Sequence, residues 1–97
     1  MYAEIRKYRT NSPDEATRRA EEGFVPILKS HPGFLAYYIL KEGNDVVATI
    51  TMFETQREAR ESNKLAAGWV KQNIATLVAG PPEITEGEVV VQHVKDC

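Results

Sequence analysis

The chain has 97 residues, 42% hydrophobic and 27% charged, the composition of one globular domain over residues 1–97. A net charge of -2 and a pI near 5.7, with acids interleaved among 12 lysines and arginines, leave no basic stripe for nucleic acid. No apolar run reaches the ~18 residues of a membrane span, no signal-peptide pattern is visible, and the lone Cys97, expected to be exposed at the end of the chain, excludes an internal disulfide; the expected compartment is the cytoplasm.

The first strand reads from Tyr2 to Tyr8. Alternation puts Tyr2, Glu4, Arg6 and Tyr8 on one face and Ala3, Ile5 and Lys7 on the other. Ser12-Pro13-Asp14-Glu15 carries the signals of a helix start: a capping serine, a proline at the first helical position and a glutamate that closes a capping box. This helix is expected to reach about Ser30, with Ala16, Ala20, Phe24, Ile27 and Leu28 as its inner stripe and a kink at Pro26. His31-Pro32-Gly33 turns into a second strand, Phe34 to Lys41. Glu42-Gly43-Asn44-Asp45 is a hairpin connection to a third strand, Val46 to Phe53. Thr55-Gln56-Arg57-Glu58 is a second capping box. Its helix is expected to reach about Ala79, with Ala59, Ser62, Ala66, Trp69, Val70, Asn73, Ile74 and Leu77 inward. Gly80-Pro81-Pro82 reads as a stop, and a last strand is expected over about Glu86 to Val94.

The order strand, helix, strand, strand, helix, strand specifies an α+β chain of ferredoxin-like βαββαβ type: a four-stranded antiparallel sheet with two helices on one face. The greasier alternation sets (Ala3 and Ile5; Val46, Ala48, Ile50 and Met52) are expected to face the helices. The mixed sets (Glu4, Arg6 and Tyr8; Thr49, Thr51 and Phe53) are expected on the far face, lining a cavity between two packed sheets. Phe34-Leu35-Ala36-Tyr37-Tyr38-Ile39-Leu40 is apolar or aromatic throughout, so both its faces call for cover. Helices cover one; a second copy of the chain, in a homodimer packed through sheet faces, is expected to cover the other.

Several stretches carry a family resemblance that spans nearly the whole chain. They are Pro32-Gly33-Phe34 entering a strand with Tyr37 and Tyr38, Phe53-Glu54-Thr55 opening the long helix, Ala66-Ala67-Gly68-Trp69-Val70 within it, and Gly80-Pro81-Pro82 before a valine-rich segment. The chain resembles the dimeric α+β barrel superfamily and, within it, the antibiotic biosynthesis monooxygenase-like family. The resemblance implies an oxygenase that needs no metal or flavin, acting on a small aromatic quinol or polyketide-like phenol held between helices and sheet. On that reading the protein accepts a proton, shields a reactive intermediate and stabilises an anion. The haem-degrading branch pairs an Asn on the first strand with a His on the second helix. Here the first strand carries Glu4 and Arg6, and Thr55 to Ala79 contains no His, so haem degradation is discounted.

Candidate catalytic residues under this resemblance are Arg6, Asn63, Trp69 and Asn73. Candidate substrate-binding residues are Tyr8, Tyr38, Thr49, Thr51, Phe53 and His31. Each also has a plain structural reading. Trp69 is either core or a pocket wall. Asn63, one position off the inner stripe, could face solvent. Arg6 and Glu4, two apart on one strand, could form a salt bridge, and His31 could serve only its turn. Two distant histidines, His31 and His93, without neighbouring ligands give no metal site. No glycine-rich phosphate loop follows a strand, and no nucleophile with a placed base is present. The alternatives to a monooxygenase are a non-catalytic dimer that binds a small apolar molecule or is purely structural, and an isomerase of small lactones. The expectation is therefore no cofactor, a small aromatic ligand, no nucleic acid and no membrane.

Overall fold

β1 (Tyr2–Thr10) opens the computed structural model, which describes residues 1–95, so Cys97 lies outside the described residues. It is followed by α1 (Pro13–Arg19), α2 (Val25–Lys29), β2 (Phe34–Glu42), β3 (Val46–Phe53), α3 (Gln56–Asn73) and β4 (Val78–Glu88). A widened helical segment, Ala20–Phe24, joins α1 to α2 without a break, so they act as one helical element. The strands lie in the order β2-β3-β1-β4, antiparallel at every joint. This is the ferredoxin-like arrangement expected from the order of segments, with both helical elements over one face of the sheet.

The widened segment answers to Pro26. Proline has no N–H to donate, and its ring crowds the carbonyl four residues back. The turn before it relaxes, and the Val25 N–H reaches Ala20 O, five residues away. One consequence is local: Gly23 lies against Trp69, where a Cβ would stand 3.1 Å from the indole. A second is that Ile27, expected inward, is exposed, whereas Phe24 and Leu28 are buried. The expected capping box at Ser12 does not form. The Ser12 hydroxyl donates to Asn11 Oδ1 at 3.2 Å, and Glu15 instead accepts from Arg18 and Arg19. The second box does form: Thr55 Oγ1 accepts from the Glu58 N–H at 3.3 Å and donates to Glu58 Oε1 at 3.0 Å.

The two faces of the sheet are the reverse of the expectation. Tyr2, Glu4, Arg6, Tyr8 and Thr10 are the buried residues of β1 and point towards the helices. Their cross-strand partners are Phe53, Thr51, Thr49 and Val47 of β3. Ala3, Ile5, Ile50 and Met52 lie on the outer face, beside Tyr38 and Leu40. The physical reason is that neither face is solvent-like. The helix side holds a cavity that tolerates polar groups which pair with one another, and the greasier set is left outward.

α3 is shorter than expected. It stops at Asn73 with Ile74 as its cap, and Leu77 belongs to the turn that follows. β4 starts at Val78 and runs through the Gly80-Pro81-Pro82 signal that reads as a stop. Two features allow this. Gly80 takes a φ of +75°, which suits a residue without Cβ, and a register shift opens between Lys7 and Arg9 opposite it. β4 is also an edge strand, where a missing proline N–H costs no ladder bond. The strand expected over Glu86 to Val94 is therefore displaced towards the N-terminus and ends at Glu88.

The core fills one end of the helix side. Tyr2, Phe24, Leu28, Phe53, Ala59 and Ala66 are buried together, with Phe34, Tyr37 and Trp69 packed against them. Phe24 meets Tyr37 edge-on at 6.3 Å between ring centroids and Trp69 in a tilted contact at 5.6 Å. The other end, from Glu4 to Thr10, is where the cavity opens. Among the described residues no helix is long and apolar enough to cross a membrane.

Candidate active site

Alternation on β1 places Glu4, Arg6 and Tyr8 in a row on the floor of this cavity, with Thr51 and Thr49 beside them on β3. Tyr37 and Ile39 of β2 form one wall. Phe24, Ser62, Ala66 and Trp69 descend from the helices. The volume open to water centres is about 50 Å3, room for a few waters. Two wider clefts adjoin it. One, between α3 and β4, shares Arg6, Tyr8, Val70 and Val78 with the cavity. The other, beneath the first helical element, shares Thr17, Tyr37 and Ile39.

Arg6 is the hub. Its side chain is almost wholly buried, at 7% exposure, as is Glu4 at 4%. Arg6 Nε donates to Glu4 Oε1 at 2.6 Å, Nη2 donates to Asn63 Oδ1 at 2.8 Å, and Nη1 approaches the Tyr8 hydroxyl at 3.5 Å. A guanidinium only donates, so Asn63 must turn its oxygen to Arg6 and keep its NH2 for other acceptors. Likewise Tyr8, accepting from Arg6, keeps its O–H to donate. Burial disfavours the charge on Arg6, but its hydrogen bonds to Glu4 and Tyr8 outweigh it and raise the guanidinium above its ordinary pKa. Burial also pushes the Tyr37 phenol up, with the neighbouring Tyr8 adding to the shift and Arg6 opposing it. Tyr37 therefore stays a neutral hydroxyl at any ordinary pH.

One atom of the array has no partner. Glu4 Oε2 is buried and makes no hydrogen bond, although its sister oxygen is held by Arg6. Elsewhere, among the described residues, no three His, Cys, Asp or Glu side chains come together in a group that could hold a metal ion.

The structure brings together Arg6, Asn63, Tyr8, Thr49, Thr51 and Trp69 of the residues singled out from the sequence. Four others are not brought to the cavity. Tyr38 is 57% exposed on the opposite face of the sheet. Phe53 is fully buried within the aromatic core. Asn73 is exposed and donates to the Trp69 carbonyl at 2.9 Å, closing the end of α3. His31 accepts a long bond from the Gly33 N–H at 3.4 Å and packs edge-on against Phe53 at 6.1 Å, so it braces its turn. Of the cavity residues outside the sequence candidates, Phe24 and Tyr37 are the aromatic ones, and Glu4 enters the sequence reading only as the partner of Arg6. Phe24 reads as ordinary core. The two-sided apolarity of β2 does not separate Tyr37 from Tyr38, and a register shift between Phe34 and Ala36 places Phe34 and Tyr37 on the same side. Only the pairing of Phe34 with Phe53 and of Tyr37 with Thr51 settles the choice.

With this geometry in hand, likeness to solved structures decides the fold. The monooxygenase of the ActVA-Orf6 gene of Streptomyces coelicolor, solved with nanaomycin D, superposes with a TM-score of 0.78 at 14% identity over 98% of this chain and 92% of that one. The chain has the fold of the antibiotic biosynthesis monooxygenase-like proteins. SnoaB of Streptomyces nogalater, a cofactor-independent oxygenase, matches with a TM-score of 0.73 at 13% identity over 98% and 97% of the two chains. A dimeric ferredoxin-like protein from an uncultured marine organism matches at 0.75 with 9% identity over 98% and 100%. No family model matches the chain, and no curated protein does.

Proposed function

We propose that the protein is a small monooxygenase that oxidises a hydroxylated aromatic with O2 and uses neither metal nor flavin. One observation carries this reading: an aromatic-walled cavity has a polar floor on which Glu4, Arg6 and Tyr8 form a buried array that half-exposed Asn63 completes. That arrangement suits a flat apolar ring with one oxygen to be read. The reaction balances without a co-reductant. For a one-hydroxyl ring, the phenol becomes a carbonyl, the carbon opposite it loses its hydrogen and gains one oxygen atom, and the second oxygen leaves as water. The ring oxygen gains negative charge in the step that loses its proton, before the ring passes an electron to O2. Arg6 and the Tyr8 O–H supply donors to that oxygen, and such donors help most when they are fixed beforehand in a dry site. Trp69, Phe24 and Tyr37 wall off water from the intermediate. The fold likeness to SnoaB and to the Streptomyces coelicolor enzyme supports the same chemistry.

Oxygen uptake with a panel of naphthols, hydroquinones and anthrones tests the proposal. Uptake that persists with chelator, and that falls at least tenfold in Arg6→Lys because the planar fork is lost, supports it. No uptake with any member, or uptake abolished by chelator, overturns it.

A second reading, a structural dimer whose pocket has closed, is favoured by size. A cavity of about 50 Å3 lies well below the ~300–1,000 Å3 of sites that enclose drug-sized ligands. Absence of both aromatic binding and oxygen uptake would establish it, and aromatic binding without uptake would point to a non-catalytic binder. Under either reading we propose a homodimer through the outer sheet face, supported by the exposure of Leu35, Tyr38 and Leu40 there.

A further inference from the structure

We infer that the ligand of this cavity is recognised as a hydrogen-bond donor, an aromatic bearing a free O–H, and that Glu4 Oε2 is the atom that accepts it. The inference deepens the proposed function and rests on it. Glu4 is buried, lines the cavity, and leaves Oε2 without a hydrogen bond. Buried polar atoms are nearly always paired, and an unpaired carboxylate oxygen is costly to leave so. Its neighbour Arg6 can donate to charge that develops on the ligand oxygen but cannot accept the ligand's proton. Arg6 already donates to Glu4 and Asn63 at short range and approaches Tyr8, and its charge is offset by Glu4 at 2.6 Å. The array is therefore close to neutral as a unit. It holds one strong acceptor without a partner, while the Tyr8 O–H lies at a different nitrogen of the guanidinium. A hydroxyl matches that acceptor because it has a proton to donate. A carboxylate matches poorly: it would bring a second negative charge to Glu4 and offer it no proton. A methyl ether can accept but has nothing to donate. The strand geometry fixes the selectivity, since Glu4, Arg6 and Tyr8 alternate along one face of β1 and cannot turn away without breaking the ladder to β3.

The test compares phenol, anisole and benzoate as ligands of the intact protein, followed by the emission of its single tryptophan, Trp69, which walls the cavity, and by calorimetry. Phenol is expected to bind at least about tenfold more tightly than anisole, the difference made by one charge-assisted hydrogen bond, and benzoate more weakly than both. Glu4→Gln keeps the shape and still offers an oxygen to Arg6, but puts an NH2 where Oε2 stood. The preference of phenol over anisole should then collapse to about parity or reverse. Equal binding of phenol and anisole by the unaltered protein, an unchanged ratio in Glu4→Gln, or benzoate as the tightest ligand overturns the inference while leaving an aromatic site in place. If neither phenol nor anisole binds, the aromatic reading of the cavity falls with it.

Discussion

The Arg6–Glu4 pair offers a quantitative test of how this site is held. Both groups are more than nine-tenths buried and meet at 2.6 Å, yet their surroundings differ. Arg6 also lines the wide cleft between α3 and β4, and keeps Asn63 and Tyr8 as acceptors. Glu4 faces only the inner cavity. Removing Arg6, as in Arg6→Met, strands a buried carboxylate, which costs ~3–5 kcal/mol. The lost bond to half-exposed Asn63 adds little, because water replaces it. Glu4→Gln leaves a charge that cleft water can reach, so about 1–2 kcal/mol is expected. The double variant removes both charges and should cost much less than the sum, with a coupling of ~2–3 kcal/mol. Urea denaturation at one protomer concentration, read by Trp69 emission at pH 7, measures all four corners of the cycle. Since a domain of this kind is stable by only ~5–15 kcal/mol, the effect on the midpoint is large. Costs that add within ~0.5 kcal/mol, or an Arg6→Met cost below ~1 kcal/mol, would falsify the account of a buried, mutually dependent pair.

Three further outcomes are expected. Gly80→Ala should lower stability by about 1–2 kcal/mol, since alanine is strained at a φ of +75°, whereas Gly87→Ala, with open space around it, should change it by less than ~0.5 kcal/mol; thermal melts compare the two. Glu15 is held at a pKa of about 2, below its usual 4.5, by the guanidinium groups of Arg18 and Arg19. A lowered folded-state pKa means its contribution is present above pH 4.5 and is lost as pH falls towards 2, so a stability difference between the unaltered protein and Glu15→Gln should be seen at pH 6 and vanish by pH 2. Because Glu15 is partly exposed, added salt should shrink that difference too; persistence at pH 2 would refute the assignment. Finally, sedimentation at micromolar concentration should give twice the protomer mass of 10.9 kDa, and Leu40→Asp should shift it to the protomer. A monomeric unaltered protein would refute face-to-face pairing.

Most of the framework was legible because local rules act locally. β3 runs from Val46 to Phe53 as its alternation specifies, and Thr55 caps α3 by the mechanism its spacing implies. Arg6 and Glu4 could be placed together because two residues apart on a strand share a face. What could not be read was which face. Hydrophobicity ranks surfaces by aversion to water, and on this sheet the more apolar face is the one away from the helices. The polar row is internal because its members satisfy each other, a fact about three-dimensional partners such as Asn63, 57 residues further on. The Tyr37–Tyr38 choice failed for a related reason, since an irregular register is invisible without the neighbouring strand. The end of α3 was misplaced because glycine followed by two prolines has the same look at a helix stop and in an edge strand.

That edge strand has a bearing on how copies of the chain can associate. Pro81 and Pro82 lack the N–H groups that a newly arriving strand would need, Gly80 bends the backbone just before them, and exposed Glu83, Glu86 and Glu88 follow along the same segment. A sheet left open along β4 would otherwise template its own extension, strand upon strand, into a ribbon. Here the prolines interrupt the hydrogen-bond row, and a second copy approaching along that margin would set like charge against like. Growth along the β4 edge is thus disfavoured by the same three residues that look in the sequence like a full stop.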